Sequence, residues 1–299
     1  MITVCLSGGL GNQMFTYAYA RALQCENEED GLIIDTYDFK HDFRTYSMHH
    51  LKLNENSKKS STIKEKFLRV YIRIKFGKKI ESRPTDELFY ALASKGFYYD
   101  FFPYSHRLAE KSKVKRKIVK GYYQSHKNFE KIKDIIIDEF TVATPPSEAN
   151  RQMLDSISND NAVCVHIRRG DYVNNPGNKA LNICTEEYYK KAMDVITSKV
   201  ENPVFYIFST GHDDIEWIKE NYKFNYNVKY VDLDNPDYEE LRLMYSCKHF
   251  IISNSTFSWW AQYLSRNEGK IVVAPSEWNH KSNPENIYMD NWKIVDVNK

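Results

Sequence analysis

The stretch HIRRGDY, residues 166–172, brings His166, Arg168, Arg169 and Asp171 together directly after the apolar run NAVCVHI. A guanidinium is a planar fork of donors that keeps its charge, and it matches phosphate oxygens. Two in succession, with Gly170 loosening the backbone, suit a pyrophosphate clamp. Asp171 can hold one guanidinium or bind a ligand hydroxyl, and His166 can meet a base or sugar through a ring nitrogen. A structural salt bridge at a strand end explains the same residues.

A second polar cluster, SNSTFSWW (253–260), places Asn254, Ser255, Thr256 and Ser258 between an apolar run and a helical pattern. Free N–H groups at a helix N-terminus attract anions, and hydroxyls add donors; a plain Ser/Thr cap is the alternative. GGLGNQ (8–13) has neither the GxGxxG spacing nor the lysine of a P-loop. It still allows a backbone to approach a ligand, with Asn12 and Gln13 in reach of a sugar. In GHDDIEW, Asp213 and Asp214 follow an apolar run, and either could accept from a guanine edge or cap a helix. Asp232 and Asp234 form a DxD pattern of the kind that holds a divalent cation, yet two arginines already offer phosphate compensation, so VDLDN reads as a loop. The sequence contains neither a serine-nucleophile elbow nor HExxH.

Positioning these groups requires strands that end where the polar motifs begin. ITVCL, GLIIDTY, AVCVHI, PVFYIFS, VKYVDL, HFIISNS and KIVVAPS read as strands, separated by helical segments such as QMFTYAYARALQ and TEEYYKKAMDVITSKV. This alternation predicts parallel α/β layers, with ligands at the carboxyl ends of the strands. TVATPPSEAN (141–150) is the expected linker, dividing the chain into 1–145 and 146–299. Residues 63–79 carry seven Lys/Arg and one Glu, with apolar residues at helical spacing. Such a segment is expected to pack on its own domain with a basic face in water, or to touch a membrane surface.

The 299 residues carry a net charge of +2, with 42% hydrophobic residues and 14% aromatics, a balance that supplies an ample core. Residues 1–150 hold 25 Lys/Arg against 19 Asp/Glu, and the remainder 17 against 21. The basic residues are not interleaved with stacking aromatics in a recognised module, so no nucleic-acid partner is expected. Five scattered cysteines without CxxC spacing indicate neither a disulfide framework nor a zinc site. The expected location is the cytoplasm, with peripheral contact at the inner membrane as an option, since no signal peptide or apolar run of spanning length is evident.

GGLGNQMFTYAYARAL, GYYQSHKNF, HIRRGDY and LRLMYSCKHFIISNSTFSWWAQYL, in this order, resemble the bacterial α-1,2-fucosyltransferases of glycosyltransferase family 11. The resemblance implies a GT-B architecture, two Rossmann-like domains facing across a cleft. It implies inverting transfer of L-fucose from GDP-β-L-fucose to the 2-hydroxyl of a galactose in an oligosaccharide or lipid-linked glycan, without a metal or other cofactor. Arg168 then corresponds to the principal diphosphate ligand with Arg169 nearby, His166 to a nucleotide contact, and Ser255, Thr256 and Ser258 to a second phosphate wall. Asp213 is the expected guanine contact, although members often read FSDD where this chain reads FSTGHDD, which leaves Asp214 open. Asn12 and Gln13 would face the donor from the first domain, and His41 and Arg44 are candidate acceptor contacts. Asp171, and after it Glu187, are the candidate general bases. The competing readings are a GT-B enzyme using another GDP-sugar or linkage, and a non-catalytic nucleotide- or carbohydrate-binding protein.

Overall fold

The computed structural model describes residues 1–29, 31–40, 44–54, 56–60, 70, 74, 85–102, 104–279 and 286–297. The chain forms two compact α/β units. The first comprises Met1–Phe140 together with Asn286 and Ile287, and the second begins at Thr141. The units divide between Phe140 and Thr141, at the start of the segment read as a linker and five residues before the 145/146 boundary expected from it. The return of residues 286 and 287 to the first unit has no counterpart in the sequence pattern; Asn286 donates from Nδ2 to the Tyr104 carbonyl at 2.9 Å.

In the first unit, β1 (Ile2–Cys5), β2 (Leu32–Asp35), β3 (Lys58–Ser60), β4 (Phe97–Asp100) and β5 (Lys117–Gly121) form one sheet in the order β3-β2-β1-β5-β4. All its pairings are parallel. β1 is buried at every position, as an apolar run covered on both faces must be. Helix α1 (Leu10–Glu26) starts inside GGLGN rather than after it, so Asn12 and Gln13 lie on its first turn. Among the described residues, the other α-helices of this unit are α2 (Asp86–Ala93) and α3 (Lys133–Glu139). The basic segment 63–79 lies outside the described residues except for Val70 and Ile74, which are exposed.

The second unit contains β6 (Asn161–His166), β7 (Pro203–Phe208), β8 (Val228–Tyr230), β9 (His249–Ile251), β10 (Val272–Pro275) and β11 (Lys293–Val295). Their order is β11-β10-β9-β6-β7-β8, again all parallel. Counted from β6, this is the 3-2-1-4-5-6 order of a dinucleotide-type sheet, with its topological switch point between β6 and β9. Among the described residues, the α-helices of this unit are α4 (Glu148–Asn159), α5 (Asp171–Asn174), α6 (Glu186–Thr197), α7 (His212–Asn221), α8 (Asp237–Ser246) and α9 (Thr256–Leu264).

The core joins Val163, Val165, Ile207, Ile251 and Val273 on the strands to Tyr188, Tyr189, Ala192, Met193 and Ile196 on α6. On α9, Trp259 and Trp260 are fully buried, and Trp259 stacks on Tyr263 with ring centroids 4.8 Å apart. Each buried indole removes roughly 200 Å² from water, at most about 5 kcal/mol of driving force. That packing makes α9, and the polar loop at its start, a rigid part of the unit. All five cysteines are free thiols. No described helix is long and apolar enough to cross a membrane.

Candidate active site

The two polar motifs of the second unit leave the two strands that flank its switch point. HIRRGD follows β6, and SNST follows β9. They are joined by His166 and Ser253, whose Nδ1 and Oγ atoms lie 3.1 Å apart. Tyr172 adds a second tie, donating its hydroxyl to the Asn254 carbonyl at 3.0 Å.

From α6, two consecutive tyrosines hold both strand ends. Tyr188 donates to the Ile252 carbonyl at 2.6 Å and Tyr189 to the His166 carbonyl at 3.1 Å. Both rings are buried, and a buried hydroxyl needs such a partner. The sequence places these residues on a helix; where their hydroxyls end depends on packing between distant segments.

His166 is buried at 2% exposure. Desolvation, reinforced by the charge of Arg168, pushes its imidazole down to about 3. A neutral ring is the consequence at ordinary pH. The side chain ends inside the unit and braces Ser253, beside the loop for which a nucleotide contact is expected. Its place as the last residue of a strand buried on both faces accounts for this.

Arg168 and Asp171 are both partly exposed. Arg168 donates from Nη2 to Asp171 Oδ1 at 2.5 Å and from Nη1 to Thr210 Oγ1 at 3.2 Å, with its Cζ 5.3 Å from the Tyr172 ring centroid. A guanidinium carries five donors, so these two bonds do not exhaust it. Asp171 Oδ2 also lies 3.4 Å from Asn178 Nδ2. Arg169 is more enclosed: its Nε donates to Asp214 Oδ1 at 3.2 Å, and its Cζ lies 3.3 Å from the Trp217 ring centroid. Asp214 Oδ2 accepts the Gly170 N–H at 2.8 Å. Gly170 itself has φ +40°, and a Cβ there would approach Thr210 atoms at 3.0–3.1 Å. Thr210 and Trp217 carry no distinguishing signal in the sequence, whereas Asp214 is one of the two carboxylates read as a guanine contact or a helix cap. Asp213 is exposed on the first turn of α7, whereas Asp214 is turned toward the arginine loop.

The hydroxyl cluster divides. Ser255 caps α9, its oxygen accepting the Phe257 N–H at 3.3 Å. Thr256 is half-buried at the first position of that helix. Asn254 faces inward, donating from Nδ2 to the carbonyls of Leu181 at 2.8 Å and Trp278 at 3.0 Å. Ser258 is fully buried and lies 3.3 and 3.2 Å from the carbonyls of Ser253 and Ser255. Asn254 and Ser258 thus support the loop from within instead of walling a phosphate, because β9 and α9 are both interior elements.

A charged trio lies at the ends of β7 and β8. His212, Glu216 and Asp232 have potential ligand atoms within 4.8 Å of one another. His212 Nδ1 is 2.8 Å from Asp232 Oδ2, which raises the imidazole's affinity for a proton, and Lys219 donates to Glu216 at 2.6 Å. An ion-pair network already compensates these carboxylates. Glu187 pairs with Lys191 on the outer side of α6.

In the first unit, the switch point lies between β1 and β5. Asn12 Oδ1 accepts from Gln124 Nε2 at 2.8 Å, joining the segments that follow those two strands. Gln13 is fully buried and donates to the carbonyls of Gly8 and Thr45, both at 2.9 Å, so it fastens the loop instead of facing a sugar. Gly8 has φ +74°; a Cβ on it would lie 3.2 Å from Asn12 Nδ2 and 3.4 Å from Arg44 Nη1. Asn12 and Arg44, far apart in sequence, therefore flank one glycine. His41 lies outside the described residues.

The chain is similar to several known glycosyltransferases. O-antigen biosynthesis glycosyltransferase WbnK of Escherichia coli is 30% identical, with 96% of this chain and 98% of that protein covered. Alpha-1,2-colitosyltransferase of Escherichia coli is 33% identical over 91% of this chain and 90% of its own length. Galactoside alpha-(1,2)-fucosyltransferase 1 of Homo sapiens is 28% identical over 44% of this chain and 37% of its own length. The profile of glycosyl transferase family 11 matches residues 1–296. With a family match spanning residues 1–296, the chain belongs to glycosyl transferase family 11.

Proposed function

We propose that this glycosyltransferase moves L-fucose from GDP-β-L-fucose to the 2-hydroxyl of a galactose in an oligosaccharide or surface glycan, with inversion and without a metal. The observation that carries the reading is the meeting of the Arg168 loop and the α9 N-terminus at the switch point of the second unit. Family membership and the α-1,2-glycosyltransferases among the relatives support the donor and linkage.

Arg168 takes the diphosphate. As the sugar–phosphate bond breaks, negative charge grows on the departing GDP, and a fixed guanidinium meets it without reorganisation. The N–H groups at the start of α9, with Ser255 and Thr256, complete the anion site. Asp213 takes the guanine. Asp171 is the candidate base for the acceptor hydroxyl. The acceptor is assigned to the first unit, with Arg44, beside Gly8, as its candidate contact.

The colitosyltransferase relative favours one alternative, a GDP-colitose donor. The test is GDP release from each GDP-sugar, with EDTA present, against a panel of β-galactosides. Acceptor-dependent release from GDP-fucose is expected, falling about 10²-fold or more in Arg168→Ala. Release only from GDP-colitose would replace the donor. Loss of turnover with EDTA, restored by a divalent cation, would overturn metal independence and direct attention to His212, Glu216 and Asp232.

A further inference from the structure

We infer that Asp214 is a positioning residue of the arginine loop: it anchors Arg169 and the Gly170 peptide so that Arg168 is the guanidinium presented to a diphosphate. The inference rests on the diphosphate role given to Arg168 above.

Both carboxylate oxygens of Asp214 are committed, one to Arg169 Nε at 3.2 Å and the other to the Gly170 N–H at 2.8 Å. Trp217, three residues along α7 and therefore on the same helix face, places its ring centroid 3.3 Å from the Arg169 Cζ. Arg169 is thus held by a carboxylate at one edge and an indole on its face. Asp214 and Arg169 are 15% and 12% exposed as side chains.

The two ion pairs of the loop are not equivalent. Asp171, the partner of Arg168, belongs to the same local segment and moves with it. Asp214 belongs to the element that follows β7, so its bonds tie the loop to the body of the unit. It holds the loop at Gly170, whose positive φ already restricts the backbone. Thr210, in the same connection, adds its 3.2 Å contact to Arg168. A side chain using both oxygens in this way braces the loop; reading guanine falls to the exposed Asp213.

The experiment measures dissociation constants for GDP, ADP and UDP by calorimetry, and kcat and KM for the donor. It uses the full-length wild type, Arg168→Ala, Arg169→Ala, Asp214→Asn, Trp217→Leu and the Asp214→Asn/Arg169→Ala double variant. Asn can still accept the Gly170 N–H, but its neutral amide cannot pair with Arg169. Asp214→Asn is expected to weaken GDP binding about tenfold, the loss of one charge-assisted contact. The ranking of GDP, ADP and UDP should stay unchanged. The double variant should be no weaker than the worse single variant within about twofold, because both changes break one unit. Trp217→Leu should shift binding in the same direction and carries the test if Asp214→Asn does not fold.

Wild-type affinity in Asp214→Asn, a selective loss of GDP preference over ADP, or additive losses in the double variant would overturn the inference. Wild-type protein that binds no nucleoside diphosphate would overturn both it and the diphosphate reading. Tight GDP binding without fucosyl transfer would overturn the donor or acceptor alone, and the binding series would still decide the role of Asp214.

Discussion

His166 Nδ1 and Ser253 Oγ lie 3.1 Å apart, and this contact joins two loops separated by 87 residues in the chain. The ring at this contact stays neutral, since burial opposes the imidazolium and Arg168 adds a like charge.

The protonation of His166 should limit acid stability. Its imidazole is pushed down to about 3 in the folded chain, while an unfolded histidine titrates near 6.5. Between these values the unfolded chain binds more protons, so stability falls as pH drops through the window, by up to about 1.4 kcal/mol per pH unit from this group. Thermal melts from pH 7 to 4 should show that decline. His166→Gln should flatten it, although its stability at pH 7 will be lower. An unchanged slope would place the acid sensitivity elsewhere.

Gly170 should be intolerant of a side chain. At φ +40° with Thr210 atoms 3.0–3.1 Å from a built Cβ, Gly170→Ala meets both backbone strain and a clash. A loss of about 1–3 kcal/mol is expected, read as a lower midpoint in urea, with donor KM rising because the Arg168 loop must shift. A variant with wild-type KM and midpoint would show that the loop adapts at no cost.

Gln13 should matter to stability more than its polar side chain suggests. Gln13→Leu leaves the Gly8 and Thr45 carbonyls without this donor in a buried setting. The expected cost is about 1–3 kcal/mol. The acceptor KM should rise with it, because Arg44 and Gly8 lie in the segments that Gln13 fastens. A stable variant with unchanged acceptor KM would separate Gln13 from the loop's geometry.

Much of the fold was legible in the sequence because parallel strands buried on both faces must be short apolar runs, and such runs stand out between helical patterns. β3, β4, β11, α2 and α4 were not read: KKS, FYYD and KIV are too short or too polar to announce themselves, and their pairing partners supply the missing definition. The candidate site was legible in outline for a similar reason. Polar motifs directly after apolar runs mark the carboxyl edge of a sheet, and Arg168, Arg169, Asp171, Ser255 and Thr256 all lie there.

By itself, the sequence determined the α/β class, the two-part division, the family resemblance and the strand ends that carry the polar motifs. Only the tertiary structure decided which polar side chains turn inward. His166, Gln13, Asn254 and Ser258 are buried because the elements bearing them are covered by segments distant in the chain. It also separated Asp213 from its neighbour Asp214, which a helical turn directs to Arg169 and Gly170. Adjacent residues of the same type carry the same local propensity; what distinguishes them is the direction each takes from its helix and the charge it meets there.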